Sequence, residues 1–327
     1  MRSIKYSVVI PVFNEEAVVE VAYTRLKRVM EKTDGSYELI FVNDGSWDRT
    51  SGLLEKICAR DPMVKLIDFS RNFGHQIAIT AGMDYAQGEA IVVIDADLQD
   101  PPEVIPLMIE KWKDGYDVVF GRRVEREGET LFKKVTAKLF YRFLRRMTEL
   151  EIPVDTGDFR LIDRKVCDAL RECGERNRYV RGLISWLGFS QTAVEYKREK
   201  RFAGSTKYPL RKMIRFALDA MTGFSHQPLR LASGIGILLS IACFLYLAIV
   251  LYLKLFTDRT VPGWSSILAV NLFFNGVVLI TLGIIGEYIG RIYDEAKARP
   301  LYIVRKLTNC SAGLERNQAV RAGRLGK

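Results

Sequence analysis

The stretch IVVIDADLQDPP, residues 91 to 102, is an apolar run that ends in Asp95 and Asp97, followed by Gln99, Asp100 and two prolines. Such a run, broken at once by polar residues and proline, reads as a buried strand passing into a loop. The carboxylates at its end are more than a buried strand end normally holds, because like charges side by side repel unless a cation sits between them. Residues i and i+2 of a strand share a side, so Asp95 and Asp97 are expected to project together, with Gln99 joining them if the chain stays extended. Oxygen ligands without a nearby Cys or His suit a hard ion, Mg²⁺ or Mn²⁺, that keeps coordination positions for phosphate oxygens. The plainer alternative is that Asp97 or Asp100 caps a helix beginning at Pro101 or Pro102.

Working outward, the same pattern recurs. YSVVIPVF, YELIFVN, VKLIDF, AIVVID and DVVFG read as five strands, with helices beginning near Glu15, Asp48, His75 and Glu103 between them. Strict alternation implies an α/β fold with a mostly parallel sheet covered on both faces. Ligands of such sheets bind beyond the carboxyl ends of the strands. PVFNEE, NDGSWDRT, SRNFGH, DADLQDPP and GRR all fall there, so one sheet edge is expected to form a polar cleft. Neither GxGxxG nor GxxxxGK[ST] occurs, which argues against a dinucleotide site and a P-loop.

The rest of the chain has a different character. Leu231 to Leu253 and Ser265 to Gly286 carry no ionisable acid, Lys, Arg or His, and each is long enough as a helix to cross ~30 Å of hydrocarbon. Two transmembrane helices are expected there, at about 231–253 and 265–286. Arg211, Lys212, Arg215 and Arg230 precede them and Arg291, Lys297, Arg299, Arg305 and Lys306 follow, whereas the connecting loop holds only Asp258 and Arg259 with Lys254 at its edge. The positive-inside bias then puts both termini and the large N-terminal domain in the cytoplasm of a cell-membrane protein. Met1 to Tyr6 leads straight into the first strand, so no leader peptide is expected. Five scattered cysteines without CxxC spacing argue against a disulfide framework or zinc site.

The net charge of +10 gathers near the membrane segments and forms no nucleic-acid-binding motif, so anionic lipid is the expected partner and nucleic acid is not. Residues 132–147 and 210–224 both place apolar residues at helical spacing among Lys and Arg. They read as basic amphipathic helices, the second lying at the membrane interface. The expected organisation is a cytoplasmic α/β domain over 1–208 that includes the 132–147 helix, a juxtamembrane helix over 209–228, two membrane helices within 229–290 and a basic C-terminal tail over 291–327.

These motifs carry a resemblance. PVFNEE, VNDGSWDRT, SRNFGH, DADLQDPP, TGDFRLIDR, RFAGSTKY, the two apolar runs and EYIGRIYDEAKARPLY resemble, in order over roughly residues 4 to 305, the GT-A-fold family 2 glycosyltransferases that charge polyprenyl phosphate with a sugar. Bactoprenol glucosyltransferases and dolichol-phosphate mannose synthases are the relatives in view. The resemblance implies a Rossmann-like GT-A domain, a nucleotide-sugar donor such as UDP-glucose or UDP-N-acetylglucosamine, undecaprenyl phosphate as acceptor, inversion at the anomeric carbon and a homo-oligomer, tetrameric by analogy. It puts Pro11, Phe13, Asn14, Glu15 and Asp44 at the nucleoside. Asp95, Asp97 and Gln99 fall at the metal and diphosphate, and Asp158 at the catalytic acid/base position. Arg122 falls at the donor, and Arg160, Arg201 and Lys207 at phosphate groups. His75 stands where some relatives carry Lys, so donor-sugar contacts at that loop are not carried across.

Each assignment has a structural competitor. Pro11 and Asn14 could shape a strand-to-helix turn, Asp44 could serve its own DGS turn, Arg122 could pair with Asp117, and Asp158 could pair with Arg160 or Arg164. At the level of function the competitors are a membrane-tethered nucleotide or metal sensor and a processive polysaccharide synthase. The latter is disfavoured because no QxxRW is present.

Overall fold

The computed structural model describes residues 4–124, 156–176, 178–199, 227–256 and 263–310. The expected amphipathic segments 132–147 and 210–224, as well as Arg201 and Lys207, lie outside the described residues. The chain divides into two compact units.

The first unit is built on one sheet. In chain order it contains β1 (Tyr6–Val12), α1 (Val19–Met30), β2 (Tyr37–Asn43), α2 (Thr50–Arg60), β3 (Val64–Phe69), α3 (His75–Tyr85), β4 (Ala90–Val93), a 3-10 turn at Pro102–Val104, α4 (Ile105–Lys113), β5 (Val118–Arg123), β6 (Thr156–Asp163), α5 (Arg164–Glu172), α6 (Val180–Trp186), β7 (Gln191–Tyr196) and β8 (Val304–Thr308). The strand order is β7-β5-β6-β4-β1-β2-β3-β8. β4, β1, β2 and β3 run parallel, and β1 to β4 are buried almost throughout because helices cover both faces. Alternate residues of β1, including Tyr6, Val8 and Ile10, share a core with α1, α2 and α4. On the other face α3 sits so close to β1 that a Cβ on Gly82 would lie 2.1 Å from a Val9 methyl carbon.

The five strands read from the sequence are all present, and three more were not read. β6 enters antiparallel between β4 and β5, β7 adds parallel to β5, and β8 closes the far edge antiparallel to β3. β6 was not read because buried Asp158 and Arg160 alternate with Phe159 and Leu161, which breaks the continuous apolar run that marks the other buried strands. β8 lies in the segment expected to be a tail. Its charged side chains suit an edge strand, and Arg305 and Lys306 find carboxylates on Asp68 and Glu55.

The second unit contains α7 (Gln227–Phe256) and α8 (Trp264–Ala296), which contact each other. α7 contains the whole first uncharged run, and α8 contains the second and continues past it. Among the described residues, Phe273–Ala296 is long and apolar enough to cross a membrane, with mean hydropathy 1.6. Ile237, Leu245, Ile249, Leu279, Ile280 and Ile292 are each more than half exposed along the two helices.

Candidate active site

The loops at the carboxyl ends of β1, β2, β3 and β4 depart from ordinary backbone at several points. Asn14 (φ 55°), Leu98 (φ 57°), Gly45 (φ 67°) and Gly74 (φ 105°) all occupy the left-handed half of backbone space. Gly45 has no alternative, since a Cβ there would lie 2.3 Å from the carbonyl carbon of Arg71. The missing Cβ lets the DGS turn pack directly against the loop that follows β3.

The nucleoside end of the expected cleft is a small lattice of hydrogen bonds. The Asn14 amide donates to Ser46 Oγ at 2.9 Å, and Trp47 N donates to Asn14 Oδ1 at 3.1 Å. Glu15 N donates to Thr50 Oγ1 at 2.9 Å. Phe13 meets Trp47 edge to face at a centroid distance of 5.0 Å, and Trp47 is 80% exposed. Pro11 lies within β1, buried opposite Val42. Asp44 is buried and accepts from Phe73 N at 2.7 Å and Gly74 N at 3.0 Å. Burial pushes its carboxyl above the usual carboxylate range, and the two backbone donors oppose that.

The aspartate turn differs from its expected form. β4 ends at Val93, and Asp95 and Asp97 sit in a turn beyond it instead of on an extended strand. Gln99 N donates to Asp97 Oδ1 at 3.1 Å, closing a local Asx-type turn. A left-handed leucine is uncommon, and Leu98 is held in that conformation by burial against Val18 and Ala22. The helix-capping alternative is absent: no side chain caps the 3-10 turn that begins at Pro102. The buried Asp100 instead receives a hydrogen bond from Tyr196 Oη, with Arg123 Nη2 at 3.5 Å and Arg198 Nε at 3.6 Å. Glu199 N donates to Gln99 O at 2.9 Å, so the segment leading to residue 200 is fastened to this turn.

Asp158, on β6, is brought opposite Asp95. Arg181 on α6 grips it with two bonds, Nε to Oδ1 at 2.7 Å and Nη2 to Oδ2 at 3.1 Å. Gln76 Nε2 donates to Oδ2 at 3.2 Å, and His75 Nε2 lies 3.2 Å from the same oxygen. The same His75 nitrogen lies 3.4 Å from Asp95 Oδ1, so the imidazole bridges the two carboxylates. Burial alone would raise the Asp158 carboxyl, but the His75 hydrogen bond and the Arg181 charge outweigh it and hold the group well below the usual range. For Asp95 burial prevails and the carboxyl is raised, with Asp158 and Asp97 adding repulsion and His75 opposing it. His75 itself is pushed up to about 9: burial would lower it, and Asp95 and Asp158 more than compensate.

The residues fit a hard divalent cation held together with a ligand. Asp95 Oδ1 is buried and accepts no hydrogen bond, with the His75 ring 3.4 Å away as a replaceable neighbour, and Asp97 stands two residues on in the same turn. Among the described residues no cluster of three or more His, Cys, Asp or Glu side chains forms a complete protein cage. Two carboxylates and an amide leave several positions for diphosphate oxygens, as a Mg²⁺- or Mn²⁺-type site requires.

Other expected residues fall differently. Arg160 is buried, donates to Gly157 O at 3.0 Å, and is drawn down to about 10 by burial against the opposing pull of Asp158. Arg164 does not pair with Asp158, since it donates to the carbonyls of Ala86 and Gly88 beyond the end of α3. Arg122 is exposed and lies 3.6 Å from Glu195. Its neighbour Arg123 is the one turned to Asp100, and Asp117 pairs with Lys165. The sequence reading missed the bridging role of His75, which stood in view in NFGH, and it missed Gln76 and Arg181, for which no motif gave a signal.

An α/β domain with a mixed sheet, an aspartate turn beyond its fourth strand and a second carboxylate facing that turn fits the sugar-transferring enzymes of the GT-A type. The chain belongs to glycosyltransferase family 2: the family model described as Glycosyl transferase family 2 matches residues 7–171. It is 63% identical over 320 residues to an uncharacterised glycosyltransferase, YkcC, of Bacillus subtilis, covering 98% of each chain. It is 41% identical over 302 residues to a prophage-derived bactoprenol glucosyl transferase of Shigella flexneri, covering 92% of this chain and 98% of that one.

Proposed function

We propose that this glycosyltransferase moves a sugar from a nucleotide-sugar, UDP-glucose or UDP-N-acetylglucosamine, to undecaprenyl phosphate at the cytoplasmic membrane face, with inversion at the anomeric carbon. The observation that carries the proposal is the placement of Asp158. It is an ionised carboxylate gripped by Arg181 and bridged through His75 to the Asp95 turn, in a chain that also bears a helix able to cross a membrane. The near full-length likeness to a bactoprenol glucosyl transferase supports the lipid acceptor.

Asp95, Asp97 and Gln99 would hold the divalent ion, which when bound offsets charge on the departing nucleoside diphosphate. Asn14, Phe13 and Asp44, with Pro11 and Glu15 shaping the turn, would receive the nucleoside. A carboxylate held far below its usual pKa is a weak base, and a phosphate monoester with a second pKa of ~6 is already largely ionised at cytoplasmic pH. Asp158 therefore needs to take at most a residual proton, and it orients the attack by holding Arg181 and His75, whose N–H groups can face the anionic phosphate. Arg201 and Lys207 follow Glu199, whose amide is bonded to the aspartate turn, and would hold the acceptor phosphate with Arg160. Two membrane helices, 231–253 and 265–286, with basic residues on the cytoplasmic side, would set the cleft at the plane of the lipid phosphate.

The test uses purified full-length protein in detergent with Mg²⁺ or Mn²⁺, undecaprenyl phosphate and one labelled donor at a time: UDP-glucose, UDP-N-acetylglucosamine or GDP-mannose. One donor is expected to give an organic-extractable sugar lipid. Nucleotide binding without product from any donor would instead favour a sensor.

A further inference from the structure

Two routes of contact run from the segment that follows α8 to the turns that would receive the nucleoside. The first is polar. The Asn14 amide donates to Ser46 Oγ at 2.9 Å, Ser46 Oγ donates to Asn43 Oδ1 at 2.5 Å, and Asn43 Nδ2 donates to Asp68 Oδ1 at 2.7 Å. Asp68 is 2% exposed, and its other oxygen accepts from Arg305 Nε at 3.0 Å and Nη2 at 2.7 Å. Every donor in the chain points toward the buried carboxylate, and Arg305 on β8 supplies its positive charge at the far end. A buried carboxylate with a fork-shaped guanidinium partner holds its remaining donors in fixed geometry.

The second route is aromatic. Tyr302 stacks on Phe69 at 5.2 Å with 17° between planes, and Phe69 meets Phe73 edge to face at 5.6 Å. The Phe73 amide donates to Asp44 Oδ1 at 2.7 Å. Ser70 N also donates to Ile303 O at 3.0 Å, which fastens the approach to β8 onto the end of β3. Both routes therefore begin within four residues of one another, at Tyr302 and Arg305, and end at Asp44 and Asn14.

We infer that the segment Tyr302–Arg305 is part of the donor site, with Arg305 a positioning residue that holds the Asn14–Ser46 turn through Asp68 and Asn43. The inference rests on the reading of that turn as the nucleoside seat. Arg305 does not touch the nucleotide. The segment that continues from the apolar helix thereby braces the donor pocket, and a chain ending after α8 would keep the metal and acceptor residues while its affinity for donor falls.

The test compares full-length wild type, Arg305→Gln, Arg305→Lys and the paired Asp68→Asn/Arg305→Gln variant, with Asp44→Asn as a control. Amide hydrogen exchange at residues 13–15 and 43–48 is measured alongside UDP affinity and the KM and kcat for UDP-glucose. Arg305→Gln is expected to speed exchange in those two segments selectively, and to raise KM and the UDP Kd about tenfold with kcat changed less than about twofold. Arg305→Lys recovers most of the affinity. The paired variant, which removes the buried charge together with its partner, keeps the fold if the single variant loses it, and its donor affinity stays below wild type. Unchanged exchange at 43–48 in Arg305→Gln overturns the inference, as does a loss confined to kcat. If Asp44→Asn weakens UDP and Arg305→Gln does not, the inference fails while the nucleoside seat stands. If neither variant changes UDP affinity, the seat has been misplaced and the inference falls with it.

Discussion

At the scale of single residues, the site is a contest between burial and pairing. Asp158 stays ionised because Arg181 and His75 surround it, whereas Asp95 accepts no hydrogen bond at its buried Oδ1 and has the His75 ring 3.4 Å away, which a bound cation would replace. Two substitutions should separate these roles. Asp97→Asn is expected to lower turnover about a thousandfold and to weaken metal-dependent donor binding. Asp158→Asn should lower kcat about a hundredfold, the scale of a mis-set geometry, with donor affinity nearly intact. Full turnover in Asp158→Asn would show that its role is wrongly assigned. His75 gives a pH signature in protein free of divalent ion and donor. Its folded pKa of about 9 lies above the unfolded value of ~6.5, so its stabilising contribution is complete below about pH 6.5 and lost as pH rises through about 9. Thermal midpoints should therefore fall more for wild type than for His75→Gln between pH 6.5 and 9.5, and equal slopes would count against the bridge. Asp95 and Asp97 were legible in the sequence because a polar break after an apolar run is a local pattern. The bridge was not, because His75 and Asp158 are 83 positions apart and Arg181 has no neighbours that mark it.

At the scale of elements, the parallel strands were readable because burial on both faces produces continuous apolar runs. β6 was not, because its buried face carries the catalytic candidate Asp158 and Arg160, and function breaks the pattern that would have revealed the strand. β8 was missed because an edge strand can carry charged residues at its centre, as Arg305 and Lys306 do here. The turns are as specific as the strands. Gly45 has a left-handed φ and no room for a Cβ, so Gly45→Ala should lower stability by about 1–3 kcal/mol and loosen UDP binding, since it would push the loop after β3 away from Asp44. A thermal midpoint and UDP affinity equal to wild type would show that the turn has another way to close.

At the scale of the whole molecule, the proposed division of labour is between a sheet edge that receives the nucleotide-sugar and apolar helices that keep the enzyme where a lipid phosphate can reach it. Composition drew attention to the second part, because an uncharged run of membrane-spanning length marks a helix able to cross hydrocarbon, and among the described residues Phe273–Ala296 is such a helix. The return of the chain after α8 to complete the sheet was hidden, since nothing local in VRKLT distinguishes a docked edge strand from a solvated tail. The central claim is tested most directly in proteoliposomes containing undecaprenyl phosphate, by following labelled sugar from its UDP donor into the organic phase with wild type and Asp97→Asn. The account predicts a sugar lipid from wild type that requires a divalent ion, and from Asp97→Asn about a thousandth as much in the same time. Equal product from both proteins, or sugar released only into water, would contradict it.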